Sequence, residues 1–320
     1  MQLRYLVITA KLAVGAGLIY LLVRNAGLRE VWAVLKTAQP VYAAASVACF
    51  VLVVVVNALR WRAVFDVLGT QLPRSVAVWG TFEGMFFNLF LPTGVGGDVV
   101  RAYRAYDHGL TARRAAECGL IDRAFGLWGL AAAVAVAAAF STALTLVPGW
   151  QILAAGAVVV VAGGLAVAWG TKFIPDSRRG WAGRITEFLR TYAGVVHARR
   201  FWTAIVPLLA VANLLIGASA WMAAMSLGLD ASLADMTIVI EGGALTAMVP
   251  ISIGGWGVRE GTSAFLLNAM GHPLPAAIAA SALMGLVLAV IGLIGALVWM
   301  LLPYRRLPGR SADVDSRPPP

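Results

Sequence analysis

Six stretches of this sequence run for about twenty residues or more with almost no charge, at 5–23, 41–59, 119–147, 151–170, 201–227 and 276–302. That recurring length limits the fold more than any other feature. An α-helix needs about 20 apolar residues to cross the hydrocarbon core of a bilayer. Inside lipid a spanning segment must satisfy its own backbone hydrogen bonds, so the runs are expected to be helices. Composition agrees: 60% of residues are hydrophobic and only 12% charged, with mean hydropathy +0.83, against about half and a quarter in soluble domains. The expected fold class is an all-α polytopic integral membrane protein. No small-residue cleavage site follows the first run, so it reads as a retained helix, with Lys11 close enough to its start to reach the interface. The membrane domain is expected over 1–302, and the Pro- and Arg-rich residues 303–320 read as a disordered tail.

Two further segments, 76–91 and 236–253, are apolar but broken by glutamate, glycine and proline. Where the basic residues fall decides how they sit. If each enters and leaves the membrane on one side, the N-terminus, the 60–117 zone, the 171–202 loop and the tail share a face. That face holds 19 of the 25 Lys and Arg, while the loop GLDASLAD on the other face is acidic. Such a bias assigns the rich face to the cytoplasm. The expected architecture is therefore six full spans plus two membrane-embedded re-entrant hairpins, with both termini cytoplasmic. The net charge of +10 does not point to nucleic acid, because the arginines lie between hydrophobic runs and not on one soluble face.

The two broken segments are copies. Shifting the sequence by 158 residues lays EGMFFNLFLPTGVGGDVVR over EGGALTAMVPISIGGWGVR, with seven identities in nineteen positions, where composition gives about one or two. Glu83 meets Glu241, Gly84 meets Gly242, and Pro92 meets Pro250. Gly96 and Gly97 meet Gly254 and Gly255, Val100 meets Val258, and Arg101 meets Arg259. Three spans separate the copies, and an odd number of crossings inverts the second relative to the first. Inverted repeats with broken helices meeting at mid-membrane are a common transporter plan. Proline and paired glycines stop a helix and let backbone approach a ligand. A helix restarting after each glycine pair turns free N–H groups toward an anion. Arg101 and Arg259, expected in the first turn of those helices, add a planar fork suited to phosphate.

Charge inside an apolar run is costly and marks a candidate site. Glu83, Glu241, Asp122 and Arg123 qualify, along with Asp98 and Glu260 beside the repeated arginines. A structural role stands beside the functional one: Glu83 neutralising Arg101, Glu241 neutralising Arg259, and Asp122 neutralising Arg123 or Arg101. Asn88, present only in the first copy, is either an amide contact for a ligand or a helix-end hydrogen bond. His108, His197 and His272 are scattered, and Cys49 and Cys118 form no CxxC pair, so no metal site or disulfide is expected. No phosphate-binding G-x4-G-K-[ST] loop occurs, so neither a nucleotide motor nor another cofactor is expected.

The motifs NLFLPTGVGGDVVRAYR, the IDR at 121–123 and VPISIGGWGVREG resemble the lysylphosphatidylglycerol synthase transmembrane domain family, also called bacterial flippase-like domain proteins. The resemblance covers residues 5 to 302. It makes Pro92, Gly96, Gly97, Asp98, Arg101, Asp122, Arg123, Pro250, Gly254, Gly255, Gly257, Arg259 and Glu260 signature positions. It implies a lipid translocator of the bacterial cytoplasmic membrane. In the family's multiple peptide resistance factors the domain flips an aminoacylated phosphatidylglycerol made by a C-terminal synthase. Only eighteen residues follow Leu302 here, so lysyl transfer is not expected to carry over.

The expected substrate is a phosphate-bearing membrane lipid or lipid-linked intermediate, held by the two half-sites. Two other readings remain: an integral-membrane transferase acting on a lipid phosphate, and a non-transporting partner of an envelope lipid enzyme. The first lacks a catalytic residue set, so no enzyme activity is expected. A separate lipid-modifying enzyme and a homo-oligomer stay open as partners.

Overall fold

The computed structural model describes residues 28–90, 96–173, 180–248 and 256–301. Among them every regular element is a helix. In chain order these are α1 (Leu28–Lys36), α2 (Pro40–Val67), α3 (Arg74–Phe90), α4 (Gly96–Asp107), α5 (Ala112–Phe140), α6 (Trp150–Gly170), α7 (Gly180–His197), α8 (Val206–Ser226), α9 (Leu233–Ala247), α10 (Val258–Ala269) and α11 (Leu274–Leu301). Short 3-10 turns follow α5 and α6, and a π turn, Phe201–Ile205, leads into α8.

Among the described residues five helices are long and apolar enough to cross a membrane: α2, α5, α6 with its 3-10 extension, α8 with its π turn, and α11. They coincide with five of the six apolar runs. The sixth run, 5–23, and the tail 303–320 lie outside the described residues. Two spans start or end beyond their apolar run for local reasons. α2 continues past position 59 because Trp61 and Phe65 are buried and Arg60 finds a buried partner. α5 begins at Ala112 because the Thr111 hydroxyl accepts the Arg114 backbone N–H, a helix cap. Exposed faces of α6 and α11, including Ile152, Val159, Leu293 and Leu297, are apolar, as lipid-facing surfaces are.

The segments read as re-entrant form two helix pairs, α3–α4 and α9–α10, each packed side by side. At 17, 12, 15 and 12 residues they extend about 18–26 Å at 1.5 Å per residue, short of a full crossing. The breaks themselves, 91–95 and 249–255, lie outside the described residues, and with them Pro92, Pro250, Gly254 and Gly255.

Each sequence copy is thus a span, a helix pair and a span: α2, α3–α4, α5 in the first, and α8, α9–α10, α11 in the second. The opening spans α2 and α8 run antiparallel. The Gln39 N–H donates to the Ser226 carbonyl at 2.8 Å, and further along Ser46 and Ser219 donate to each other's carbonyls at 2.8 and 2.9 Å. This reciprocal bond is what a two-fold relation between equivalent helices produces, and small residues let the backbones come that close. The rest of the packing repeats the relation. α3 packs on α11, the closing span of the other copy, and α9 packs on α5. On the first of these, a Cβ at Gly295 would lie 2.1 Å from the Phe82 carbonyl oxygen, and one at Gly292 would strike Leu89.

The expected cytoplasmic placement of the basic zones has a direct test: an exposed cysteine placed at Asp230 should react with an impermeant maleimide added outside intact cells. Cysteines at His108 and Trp181 should react only after permeabilisation. Reaction at 108 from outside overturns the one-sided placement of the α3–α4 pair.

Candidate functional site

Around the first break, α2, α4 and α5 converge on one carboxylate. Asp122 on α5 is 1% exposed. It accepts from Arg60 Nε at 2.9 Å and Nη2 at 3.2 Å, and from Arg101 Nη2 at 3.1 Å. Arg101 lies over the Trp61 ring, 4.4 Å from its centroid, and within 3.5 Å of Asp98. Asp98 in turn pairs with Arg123. Three arginines and two aspartates therefore form one chain, Arg60–Asp122–Arg101–Asp98–Arg123, carrying a net positive charge. Arg101 Nε is buried without a hydrogen-bond partner. A second pair lies alongside: Glu83, fully buried on α3, accepts from Arg104 Nε at 2.7 Å and from its second nitrogen.

Glycines set the spacing of α3 and α4. A Cβ on Gly97 would sit 2.4 Å from the Gly84 carbonyl oxygen, and one on Gly84 would touch the Arg101 side chain. Asn88 Oδ1 accepts the Gly97 N–H at 2.7 Å, so this amide satisfies a free donor at the start of α4. Asn88 therefore makes a helix-end hydrogen bond.

The second break is built differently. Gly257, at φ +83°, opens α10 in a conformation that glycine adopts without strain, and its N–H donates to Glu260 Oε2 at 2.6 Å. Glu260 Oε1 takes Arg259 Nε at 3.0 Å, and the Arg259 guanidinium lies 5.4 Å from the Trp256 ring centroid. The Arg259 stem crosses α9 at Gly243, where a Cβ would meet it at 3.1 Å. Glu241 is 2% exposed, and its Oε1 has no hydrogen-bond partner.

Several expectations change. Arg101 is the sixth residue of α4, in its second turn, while Arg259 is second in α10. Glu83 pairs with Arg104 and not Arg101, because Arg104 stands one turn further along α4. Arg259 pairs with its neighbour Glu260, not with Glu241. Asp122 does pair with Arg101, but its closest partner is Arg60, and Arg123 binds Asp98 instead. Arg60, Trp61 and Arg104 were missed. The signal for Arg104 was present: it lies three residues after Arg101 and so on the same helix face.

Two cavities follow one another along α5. One, about 530 Å³, is lined by Leu120, Arg123, Ala124 and Leu127 of α5, Phe188 of α7, and Met248 at the end of α9. Arg123, the one charged wall residue among the described residues, has a side chain 33% exposed. The other, about 570 Å³, lies between α5, α8 and α9 from Trp128 to Phe140, and among the described residues only Asn213 and Thr237 interrupt its apolar lining. Among the described residues no cluster of three or more His, Cys, Asp or Glu is placed to hold a metal.

The family model described as the lysylphosphatidylglycerol synthase TM region matches residues 8–306. That span is most of the chain, and the protein belongs to this family. No curated protein matches it.

The Glu83–Arg104 pair gives a direct test of this geometry. Arg104→Met strands a fully buried carboxylate, and such losses cost about 3–5 kcal/mol. Arg104→Met with Glu83→Leu removes both charges and should recover most of that loss. Thermal unfolding in detergent should rank wild type and the double variant together, well above Arg104→Met.

Proposed function

We propose, with membership of that family and a multi-pass membrane protein as premises, that this chain is a flippase. It carries a phosphate-bearing lipid or lipid-linked intermediate between the leaflets of the bacterial cytoplasmic membrane, with its basic face and termini inside. The observation that carries this reading is the succession of cavities along α5. A wall that carries the Arg123 guanidinium gives way to a wall of mostly apolar side chains. An anionic head followed by acyl chains has that profile, and a soluble anion or a purely apolar molecule does not.

The residues divide the work by exposure. Arg60 and Asp122 are buried and hold Arg101 against Trp61, with Asp98 between Arg101 and Arg123. Arg123, paired with Asp98 and with its side chain 33% exposed, brings a planar guanidinium, the shape that matches phosphate oxygens, to the cavity wall. Arg101 Nε supplies one more donor within the same network. On the other copy Arg259, backed by Glu260 and Trp256, is the equivalent anion contact. The antiparallel placing of α2 and α8 turns these two half-sites in opposite directions. That is the arrangement alternating access needs, with a lipid taken from one leaflet at one break and delivered to the other.

Purified full-length chain in vesicles should therefore speed transbilayer movement of fluorescent phosphatidylglycerol. Arg123→Ala should weaken apparent affinity about ten- to a hundredfold, the worth of one charge-assisted bond of about 1.5–3 kcal/mol. Arg123→Lys should recover only part, since an ammonium keeps charge without the fork. Arg259→Ala should act similarly. Normal movement by both alanine variants, at equal protein density, overturns the reading.

A further inference from the structure

The two copies carry the same glutamate in opposite states. Glu83 on α3 is buried and fully neutralised by Arg104. Glu241, its match on α9, is equally buried, but its Oε1 has no partner. The cause is in the sequence: the position matching Arg104 is Thr262, and the Thr262 hydroxyl accepts a bond from Thr246. The rest of the first network is also missing from the second copy. Arg60, Asp98, Asp122 and Arg123 correspond at the same shift to Ala218, Trp256, Ala280 and Ser281.

The charged groups around Glu241 can be named element by element. α8, α6 and α11 carry none. α5 faces this part of α9 with Leu130, Ala131 and Val134, while Asp122 and Arg123 lie two turns or more along the helix. α10 brings Arg259 and Glu260, whose side chains bind each other. On α9 itself, Asp235 is occupied by Ser232 and Ser141 at the far end. A carboxylate so enclosed cannot stay ionised at acceptable cost, and the remedy open to it is a proton. A metal ion would need several more oxygen ligands than one glutamate offers.

We infer that Glu241 is a proton-binding site that couples lipid passage to proton movement. The coupling rests on the transport reading above; the proton site does not. Glu241 binds a proton at its carboxylate from water on one side of the membrane and releases it as a proton to water on the other. The cation on the neighbouring α10 is Arg259, whose stem crosses α9 at Gly243 and which is the side chain proposed above to meet the lipid phosphate. A phosphate that draws Arg259 away from Glu260 would shift α10 against α9, the helix that carries Glu241, which links the two ligands through one packed helix pair.

The site and the coupling are tested separately in full-length protein. Infrared difference spectra of the protein in vesicles at neutral pH should show a protonated-carboxyl C=O band that Glu241→Gln removes. Glu241→Gln, a neutral mimic, should leave the unfolding temperature unchanged, whereas Glu83→Gln should lower it. Absence of the band, or a fall in stability with Glu241→Gln as large as that with Glu83→Gln, overturns the proton site. For coupling, an imposed pH gradient should change fluorescent phosphatidylglycerol movement by wild type several-fold. Lipid movement should in turn shift an entrapped pH dye. Whatever rate remains in Glu241→Gln should ignore the gradient. A response to sodium instead of pH, or proton movement surviving in Glu241→Gln, overturns the coupling. If wild type moves no lipid yet keeps the infrared band, the transport reading and the coupling fall while the proton site stands.

Discussion

The pairing of Asp122 with Arg60 and Arg101 is the interaction on which the arrangement of the first copy depends. Its three members come from three helices, α5, α2 and α4, and all are largely withdrawn from solvent. Water would screen such charges and let the helices slide. In an apolar bundle each must keep its counter-ion, so the relative heights of the three helices are fixed by where these side chains sit. The same condition makes α2 run beyond its apolar stretch, since ending at position 59 would leave Arg60 without a helix to present it. Apolar packing then follows: Trp61, Phe65, Ile121 and Phe125 fill the space around the pair.

Close backbone approach supplies what charge does not. Hydrophobic burial gives little net drive to helix association when the solvent is itself hydrocarbon, so tight contact and hydrogen bonds carry more of the load. The glycine contacts follow this division. Gly97 against Gly84 joins α3 to α4, Gly295 against Phe82 joins α3 to α11, and Gly217 against Thr237 joins α8 to α9. Each junction excludes a side chain by distance, and two of the three rest on backbone oxygen that cannot move aside.

How much of this could be read in advance depends on which residues acted locally. Segment lengths specify spans in a bilayer, so five apolar runs became five long helices, and the repeat was visible because proline, glycine and arginine recur at fixed spacing. Ion partners were not legible, since Glu83 lies 18 residues from Arg101 and 21 from Arg104, and only the pitch of the α3–α4 pair decides between them. Arg60 was hidden for another reason: it belonged to a zone that reads as basic interface, and burial cannot be inferred from a charge count. The helix starts also differ between copies despite matching glycines. Asn88 caps α4 at Gly97, while Gly257 and Glu260 cap α10 further along, and Asn88 has threonine, Thr246, as its counterpart.

The contrast between the copies has a mechanical consequence. Because α3 packs on α11 and α9 on α5, neither helix pair moves without displacing a span of the opposite copy. A shift at one break is therefore felt at the other through helices, with no separate relay. In the first copy, paired charges resist such a shift, since separating Asp122 from its arginines exposes all of them to low dielectric. In the second copy the Arg259–Glu260 ion pair joins neighbours on one helix and can travel with α10. The ties to other helices there include hydrogen bonds of serine and threonine hydroxyls: Ser141 to Asp235, Thr246 to Thr262, and Ser281 to the Glu260 carbonyl. The antiparallel α2–α8 contact, with its reciprocal serine bonds, lies between these two halves of unequal stiffness. Motion should then concentrate in α9 and α10, with α2, α4 and α5, held by the buried ion pairs, as the fixed frame.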